Sequence, residues 1–128
     1  MAGLENEVLA AADRLVSAFG DFERDDYFSC FAEDATFTFY NYPERLTSRS
    51  AYERVWDGWV ADGWRVSSCF STNRSVQELT SDVAIFTHDV STTFAGDDPE
   101  PILERESIVF VRRDGWVAVH EHLSPIPD

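Results

Sequence analysis

Apolar residues recur at helical spacing near the start of the chain. They fall three or four residues apart from Leu4 to Phe19, with charged or small residues between them. This period predicts an amphipathic helix that ends at Gly20, since glycine favours helix termination. A second, shorter helix is predicted over residues 23–32, with its apolar side chains turned inward.

The pattern then changes from helical to alternating and back to helical. Residues 35–40 alternate and are rich in Thr and Phe, which is typical of a strand. Ser50 and Glu53 have the spacing of a capping box, which predicts the start of a third helix. That helix carries several Trp and Val residues and ends at Asp62-Gly63.

The second half of the chain is predicted to consist mainly of strands. Long alternating runs cover residues 65–79, 83–94 and 102–113. Asp114-Gly115 is typical of a type I′ hairpin turn, and a final strand follows from Trp116. Helices followed by antiparallel strands predict an α+β domain with the helices on one face of the sheet.

The charge of the chain narrows the classes of partner. Its formal net charge is −14, and all 10 of its basic residues are Arg. This charge disfavours nucleic acid and anionic membranes as partners, because both require basic surfaces. Acidic residues in segment 95–101 are expected in an exposed loop. The length of 128 residues fits one domain over residues 1–128, with a sizeable core.

The sequence also predicts where the protein is found. No apolar run reaches the roughly 18 residues of a membrane helix, and the acidic N-terminus lacks signal-peptide features. Cys30 and Cys69 have neither the spacing of a metal site nor that of a disulfide framework. We therefore expect a cytoplasmic protein with both thiols reduced and no membrane partner.

The hairpin turn predicts which residues of the last two strands pair. Paired residue numbers should sum to about 229, which places Ile108 opposite Glu121 and Phe110 opposite Val119. The more aliphatic face of this pair should pack on the helices, so its carboxylates, Glu106 and Glu121 above all, are unexpected there. The opposite face would be the outer one and would carry three large polar or aromatic side chains: Trp116, His120 and His122.

Periodicity alone does not choose the inner face of the strand over residues 83–94. One face of that strand carries polar side chains: Thr87, Asp89 and Ser91. The other face carries larger side chains: Phe86, His88 and Val90. Because strand side chains alternate between faces, either set could point towards the helices.

Several motifs resemble the nuclear transport factor 2-like superfamily. Residues 31–36 (Phe-Ala-Glu-Asp-Ala-Thr) are similar to its helix-to-strand junction, and Asp82-Val-Ala84 is similar to the start of a later strand. Residues 112–124 resemble the end of the calcium/calmodulin-dependent kinase II association domain, and the chain also resembles SnoaL-like proteins of this superfamily. The resemblance implies a cone-like α+β fold, in which about three N-terminal helices pack on a strongly curved, mostly antiparallel β-sheet that encloses a pocket.

The resemblance also implies an inner face for the strand over residues 83–94. The superfamily's pocket positions on that strand correspond to Thr87, Asp89 and Ser91. Asp89 would then join Glu106 and Glu121 on neighbouring strands, which lie about 4.8 Å apart. Carboxylates crowded in a dry pocket raise the pKa of at least one of them, and that suits acid/base chemistry.

Matching positions in better-known relatives exclude two functions. The catalytic aspartate and oxyanion-hole tyrosine of ketosteroid isomerase fall at Phe39 and Leu15, so steroid isomerisation by that mechanism is rejected, although its oxyanion-hole acid falls at Glu106. The kinase association domain binds carboxylates through arginines that fall here at Asp89 and at two apolar positions, Ile108 and Leu123. A carboxylate ligand is therefore not expected, and a neutral or cationic ligand fits better.

SnoaL itself cyclises a polyketide ester, and the resemblance gives the leading prediction. We expect cofactor-independent cyclisation, isomerisation or dehydration of a neutral, mostly apolar metabolite, with Asp89 as base and Glu106 or Glu121 as acid. The ligand would contact Phe37, Phe39, Tyr40, Tyr52, Trp56, Trp59, Thr87, Ser91, Ile108 and Leu123. Three alternatives stay open. The aromatic residues form a plain core; the acids pair with Arg54 or Arg65 or lie at a wet rim; or the protein is a non-catalytic ligand-binding or dimeric assembly module.

Three histidines raise the question of a metal site. His88 and His120 would lie roughly 9 to 10 Å apart across an intervening strand, which is too far for metal–nitrogen bonds of about 2 Å. No metal is therefore expected within one chain. The outer face with Trp116, His120 and His122 corresponds to the superfamily's usual dimer surface, so a homodimer through this face is expected. Acid pH should weaken that dimer if the histidines are buried in it.

Overall fold

Three helices and five strands form the part of the chain that the structure describes, residues 3–96 and 100–127. In this computed structural model the helices are α1 (Gly3–Gly20), α2 (Arg24–Ser29) and α3 (Arg49–Ala61). The strands are β1 (Phe31–Phe39), β2 (Val66–Thr80), β3 (Val83–Phe94), β4 (Ile102–Arg112) and β5 (Trp116–Pro125). The predicted acidic loop includes residues 97–99, which lie outside the described residues. None of the described helices is both long and apolar enough to cross a membrane.

The strands form one curved mixed sheet in the order β1-β5-β4-β3-β2. β1 pairs with β5 in parallel, and every other neighbouring pair is antiparallel. The helices pack on the inner face of this sheet, where α1 lies against β2 and α3 lies against β1. The predicted α+β fold, with N-terminal helices on a curved and mostly antiparallel sheet, is confirmed.

Aromatic rings fill the space between the helices and β1. Tyr27 of α2 stacks on Trp56 of α3, with ring centroids 5.1 Å apart. The ring of Tyr52 lies 4.6 Å from the ring of Phe37, and the hydroxyls of Tyr27 and Tyr52 lie 3.0 Å apart. Such a buried hydroxyl pair satisfies both phenols and fixes α2 against α3.

Two predicted helix boundaries are wrong. The second helix ends at Ser29, because Phe31 already pairs with Ala118 of β5 and so begins β1. The third helix is capped by Ser48, whose side chain accepts a hydrogen bond from the amide of Ala51 at 3.1 Å. Ser50 therefore lies inside the first turn of α3 and is not the residue that caps it.

A register shift in the β4–β5 hairpin changes the predicted face of Trp116. Ile108 pairs with Glu121 as predicted, but Phe110 pairs with Ala118 and not with Val119. The irregularity turns Trp116 inward, since an extra residue in one strand reverses the alternation beyond it. Trp116 is buried, and its indole nitrogen donates to the carboxylate of Glu7 on α1 at 3.2 Å. The predicted place of Trp116 on the outer face is therefore wrong.

The predicted inner face of β3 is also wrong. The buried side chains of this strand are Ala84, Phe86, His88, Val90 and Thr92. Thr87, Asp89 and Ser91 therefore lie on the outer face, where the carboxylate of Asp89 is 3.4 Å from the guanidinium of Arg105. The ion pair leaves Asp89 in contact with solvent, whereas the face of β3 that carries Phe86 and Val90 packs against the apolar side chains of the helices.

Candidate functional site

A cavity of about 260 Å³ lies between the helices and the inner face of the sheet, at the end where β4 begins. This volume is near the lower end of the usual range for ligand pockets and suits a small metabolite. Its walls are mainly aromatic and aliphatic, and its acidic residues come from β4 and β5. The lining residues are Leu15, Val16, Phe19, Tyr27, Phe39, Asn41, Tyr52, Trp59, Trp64, Cys69, Val90, Thr92, Phe94, Glu104, Glu106, Glu121 and Leu123.

Part of the predicted ligand-binding set lines this cavity. Phe39, Tyr52, Trp59 and Leu123 line it, as do the two predicted acids Glu106 and Glu121. Their presence in the walls follows from the alternation of β1, β4 and β5 and from the turn of α3 that faces the sheet.

The other predicted ligand-binding residues lie elsewhere. Phe37, Trp56 and Ile108 are at most 1% exposed and pack in the core, which is the alternative that the sequence left open for the aromatic set. Tyr40 is 48% exposed, and its ring is outside the cavity wall. Thr87 and Ser91 share the outer face of β3 with Asp89.

His88 links the site to the β2 side of the sheet. Its Nε2 lies 2.7 Å from Oε1 of Glu106, and its Nδ1 lies 2.6 Å from the hydroxyl of Ser71. The imidazole is 1% exposed, so both contacts are made away from bulk water. A buried imidazole with two partners has its ring orientation fixed, and it holds Glu106 in one position.

Glu106 and Glu121 prefer opposite protonation states. Burial opposes the ionisation of Glu106, but its hydrogen bonds with His88 and Glu121 outweigh that effect and lower its pKa. Burial, followed by the charge of the adjacent Glu106, raises the pKa of Glu121 well above its usual value. The two shifts favour an ionised Glu106 beside a protonated Glu121.

Glu104 is a third cavity acid with a different environment. Its Oε2 accepts a 2.6 Å hydrogen bond from the phenol of Tyr40. Burial raises the pKa of Glu104, whereas the Tyr40 hydrogen bond acts in the opposite direction. In the same contact, burial and then the hydrogen bond to Glu104 raise the pKa of Tyr40 to about 12, so the phenol remains a donor.

This arrangement places a proton acceptor beside a proton donor in an apolar cavity. An ionised carboxylate accepts a proton, and a neutral carboxylic acid next to it donates one to a developing oxyanion. The predicted alternative, in which Arg54 or Arg65 pairs with the acids, is wrong for Glu106, whose hydrogen-bond partner is His88. Within the described residues Arg65 does not pair with Glu106 either, since its guanidinium lies over the ring of Phe22.

Sequence reasoning missed His88, Glu104 and Trp64 as site residues. The resemblance places Thr87, Asp89 and Ser91 on the inner face and therefore His88 on the outer face. Alternation with Phe86 and Val90, however, puts His88 on the more apolar face of the strand. Glu104 precedes Glu106 by two residues, so it shares the predicted inner face with Glu106 because strand side chains alternate. The alternation that selected Glu106 as a site residue therefore also selects Glu104. Trp64 follows the end of α3, and no periodicity locates such a loop residue.

The histidines do not converge. His88 faces the interior, while His120 lies on the other side of the sheet and bonds the hydroxyl of Thr36 at 2.8 Å. The ring centroids of His120 and His122 are 6.5 Å apart. Across residues 3–96 and 100–127, no three His, Cys, Asp or Glu side chains are grouped so as to hold a metal ion.

The inward-facing acids, the aromatic walls and the curved sheet agree with one known family. The model of that family, described as a SnoaL-like domain, matches residues 8–128. This protein belongs to the SnoaL-like family. No protein of curated function matches it.

Several solved structures superpose on most of the chain. A nuclear transport factor 2-like protein of unknown function from Pseudomonas putida has a TM-score of 0.83 at 18% identity, covering 100% of this chain and 90% of that one. A protein from Streptomyces avermitilis, named as a dehydratase of the same superfamily, gives 0.81 at 20% identity over 99% and 98% of the chains. A protein from Xanthomonas campestris, named as a calcium/calmodulin-dependent protein kinase II association domain, gives 0.80 at 20% identity over 95% and 87% of the chains. At these identities the likeness shows the fold alone.

Proposed function

We propose that this SnoaL-like protein catalyses cofactor-independent proton transfer on a small, mostly apolar metabolite that is neutral at its reacting end. The observation that supports the proposal is the buried pair of Glu106 and Glu121 on the wall of an aromatic cavity, where the pKa of Glu106 is lowered and that of Glu121 is raised. A base and an acid held side by side suit isomerisation, dehydration or cyclisation through an enol-like intermediate.

Each carboxyl has one role in the proposed reaction. Glu106 accepts a proton from carbon as the C–H bond breaks, and His88 stabilises the carboxylate before that step. Glu121 donates its proton to the substrate oxygen, which takes the place of Glu106 as the acceptor. When the intermediate collapses, Glu106 returns its proton to a second carbon and the oxygen returns its proton to Glu121. The net change is one shifted double bond.

Glu106 replaces Asp89 as the proposed base. Asp89 lies on the outer face, beside Arg105 and the amide of Asn73, and lines no part of the cavity. A base must come within hydrogen-bonding reach of the proton that it removes, and the sheet itself separates Asp89 from the cavity.

The test is the conversion of β,γ-unsaturated cyclohexenone to its conjugated isomer, followed by ultraviolet absorbance. We expect Glu106→Gln and Glu121→Gln to lower the rate by roughly 100-fold or more, since each removes one partner of the proton transfer. Asp89→Asn is the matched control, because it neutralises a carboxylate on the outer face and should leave the rate unchanged. Equal loss in all three variants, or no loss in the cavity variants, would argue against the proposal.

A homodimer through the outer face of the sheet is the second proposal. Phe70, Ser91 and Leu103 are adjacent across β2, β3 and β4, and Phe70 and Leu103 are 65% and 57% exposed. His120 and His122 continue this face towards β1. Exposed apolar side chains in one register favour burial against another surface, and a second copy supplies a matching one.

The exposed apolar residues on the outer face of the sheet also favour the alternative function, a non-catalytic ligand-binding or assembly module. A scaffold would keep its dimer and its stability when Glu106 or Glu121 is neutralised, and it would show no turnover in any variant.

Cys30 and Cys69 are both free thiols, which supports a reducing compartment such as the cytoplasm.

A further inference from the structure

Carboxyl groups dominate the charged part of the cavity wall. Three of them line it, from Glu104, Glu106 and Glu121, while no Arg is among the described residues of its wall and the chain contains no Lys. Neutral N–H donors reach the same wall from Asn41, Trp59 and Trp64. A ligand group that meets the carboxyl groups must therefore be a hydrogen-bond donor, and the described wall supplies no cation to balance their charge.

One buried oxygen has no partner. Oε2 of Glu121 is buried and makes no hydrogen bond to the described residues, although Glu121 is only 3% exposed. Carboxyl oxygens accept hydrogen bonds, so Oε2 is an open acceptor on a residue of the cavity wall. Buried polar atoms are almost always paired, so this oxygen indicates a donor group on the bound molecule.

Glu104 lacks a cationic partner. Its side chain has one hydrogen bond, from the neutral phenol of Tyr40, and it forms no ion pair with the described part of the chain. Glu104 and Glu106 lie two residues apart on the same face of β4, about 7 Å along the strand. A ligand whose charged group binds at Glu104 would therefore have room to place its reacting group at Glu106.

Aromatic faces complete the environment. Trp59 and Trp64 have ring centroids 5.3 Å apart, and Tyr52 lies 6.4 Å from Trp59. Indole and phenol rings bind apolar groups by area and attract cations through their faces. Acidic groups beside such rings suit an organic cation better than an alcohol of the same shape.

We propose that the cavity binds an apolar molecule that carries a protonated amine, with Glu104 as the counter-charge and Oε2 of Glu121 as an acceptor for a further donor of the ligand. This inference rests on the proposed function in one respect, because both take the cavity as the ligand site. It adds the substrate class: an arylalkyl or alkyl amine whose reacting carbon lies over Glu106.

The experiment compares three probes of nearly equal size in isothermal titration. They are naphthylmethylamine, naphthylmethanol and naphthoate, all substituted at the same ring position. We expect the amine to bind about tenfold or more tightly than the alcohol, since hydrogen bonds to an ionised group are the stronger ones. We expect no measurable binding of naphthoate, because the cavity wall repels an anion.

Variants locate the charge that selects the amine. Glu104→Gln keeps an acceptor for Tyr40 but removes the charge, so it should weaken amine binding about tenfold and leave alcohol binding nearly unchanged. Glu78→Gln removes an exposed carboxylate outside the cavity and should change neither affinity. Alcohol binding also reports whether the Glu104 variant is folded.

Two results would overturn the inference: the alcohol binds as tightly as the amine, or Glu104→Gln and Glu78→Gln weaken amine binding equally. The outcome is separable from that of the proposed function. Turnover of the cyclohexenone without selective amine binding would retain the reaction and reject the amine. Selective amine binding without turnover in the wild-type protein would retain the amine as ligand and reject the proposed reaction.

Discussion

His88 decides which of two adjacent carboxyls carries the negative charge. Its Nε2 lies 2.7 Å from Glu106, and this hydrogen bond, together with the one from Glu121, outweighs the burial that would otherwise keep Glu106 neutral. Glu121 has no equivalent partner, so its pKa moves in the opposite direction. One imidazole therefore gives two chemically identical side chains different roles.

Replacing His88 should expose the penalty of burying the Glu106 carboxylate without its imidazole partner. We expect His88→Phe to lower the free energy of unfolding by about 2 kcal/mol, since a buried carboxylate loses one of its hydrogen-bond partners. The measurement is urea denaturation at neutral pH. The phenyl ring preserves the packing against Phe86, whose ring centroid lies 4.6 Å from the imidazole.

A double variant separates charge from packing. His88→Phe combined with Glu106→Gln removes both partners, so we expect it to be clearly more stable than the sum of the two single changes indicates. Strict additivity would show that His88 and Glu106 are not coupled, and it would contradict the role assigned to the imidazole.

The elements of the chain were largely predictable from sequence, but their edges and faces were not. Helical period located α1 and α3, and the Asp114-Gly115 turn located the β4–β5 hairpin and the pairing of Ile108 with Glu121. Local pattern contains no signal for the register shift beyond Val109, because both faces of β5 carry apolar residues there. Trp116 was therefore placed on the wrong side.

The face of β3 shows a second limit. Both faces alternate regularly, so the choice depended on the resemblance, and the resemblance selected Asp89 where the structure selects His88. Phe86 is buried because the helices pack over it, and the sequence of one strand does not determine which of its faces the helices cover. Glu106 and Glu121 were found because the hairpin turn fixes their register independently.

The N-terminus of α3 gives a test at the scale of one element. Ser48 caps the helix through the amide of Ala51, so Ser48→Ala should lower the free energy of unfolding by about 1 kcal/mol. Ser50→Ala, inside the helix, should cost at most a few tenths of that amount, because it removes no cap. Thermal unfolding measures both, and equal losses would contradict the assignment of the cap.

At the scale of the whole molecule, the outer face of the sheet is expected to join two copies. Phe70→Asp should shift the sedimentation profile from dimer to monomer, because it places a charge within the exposed apolar group of Phe70 and Leu103. Val60→Asp, on the exposed side of α3, is the control and should leave the dimer intact. A dimer that survives Phe70→Asp would place the interface elsewhere.

The dimer should also weaken in acid. Burial, and then the neighbouring His122, lowers the pKa of His120, so the folded protein favours the neutral imidazole. Burial in the dimer interface would lower that pKa further, so the contribution of His120 to the dimer is complete above the ordinary histidine pKa of about 6.5 and is lost as the pH falls through the lowered value. Sedimentation at about pH 5 should show more monomer than at neutral pH, and an unchanged dimer would contradict the burial of His120 in the interface.

The central claim concerns a single proton shared by Glu106 and Glu121 in an aromatic cavity. Infrared difference spectroscopy at neutral pH detects it directly, because a protonated carboxyl absorbs apart from carboxylates. We expect a protonated-carboxyl band in the wild-type protein that disappears in Glu121→Gln and remains in Glu104→Gln and Asp89→Asn. A wild-type spectrum without the band, or a band that persists in Glu121→Gln, would contradict this account of the site.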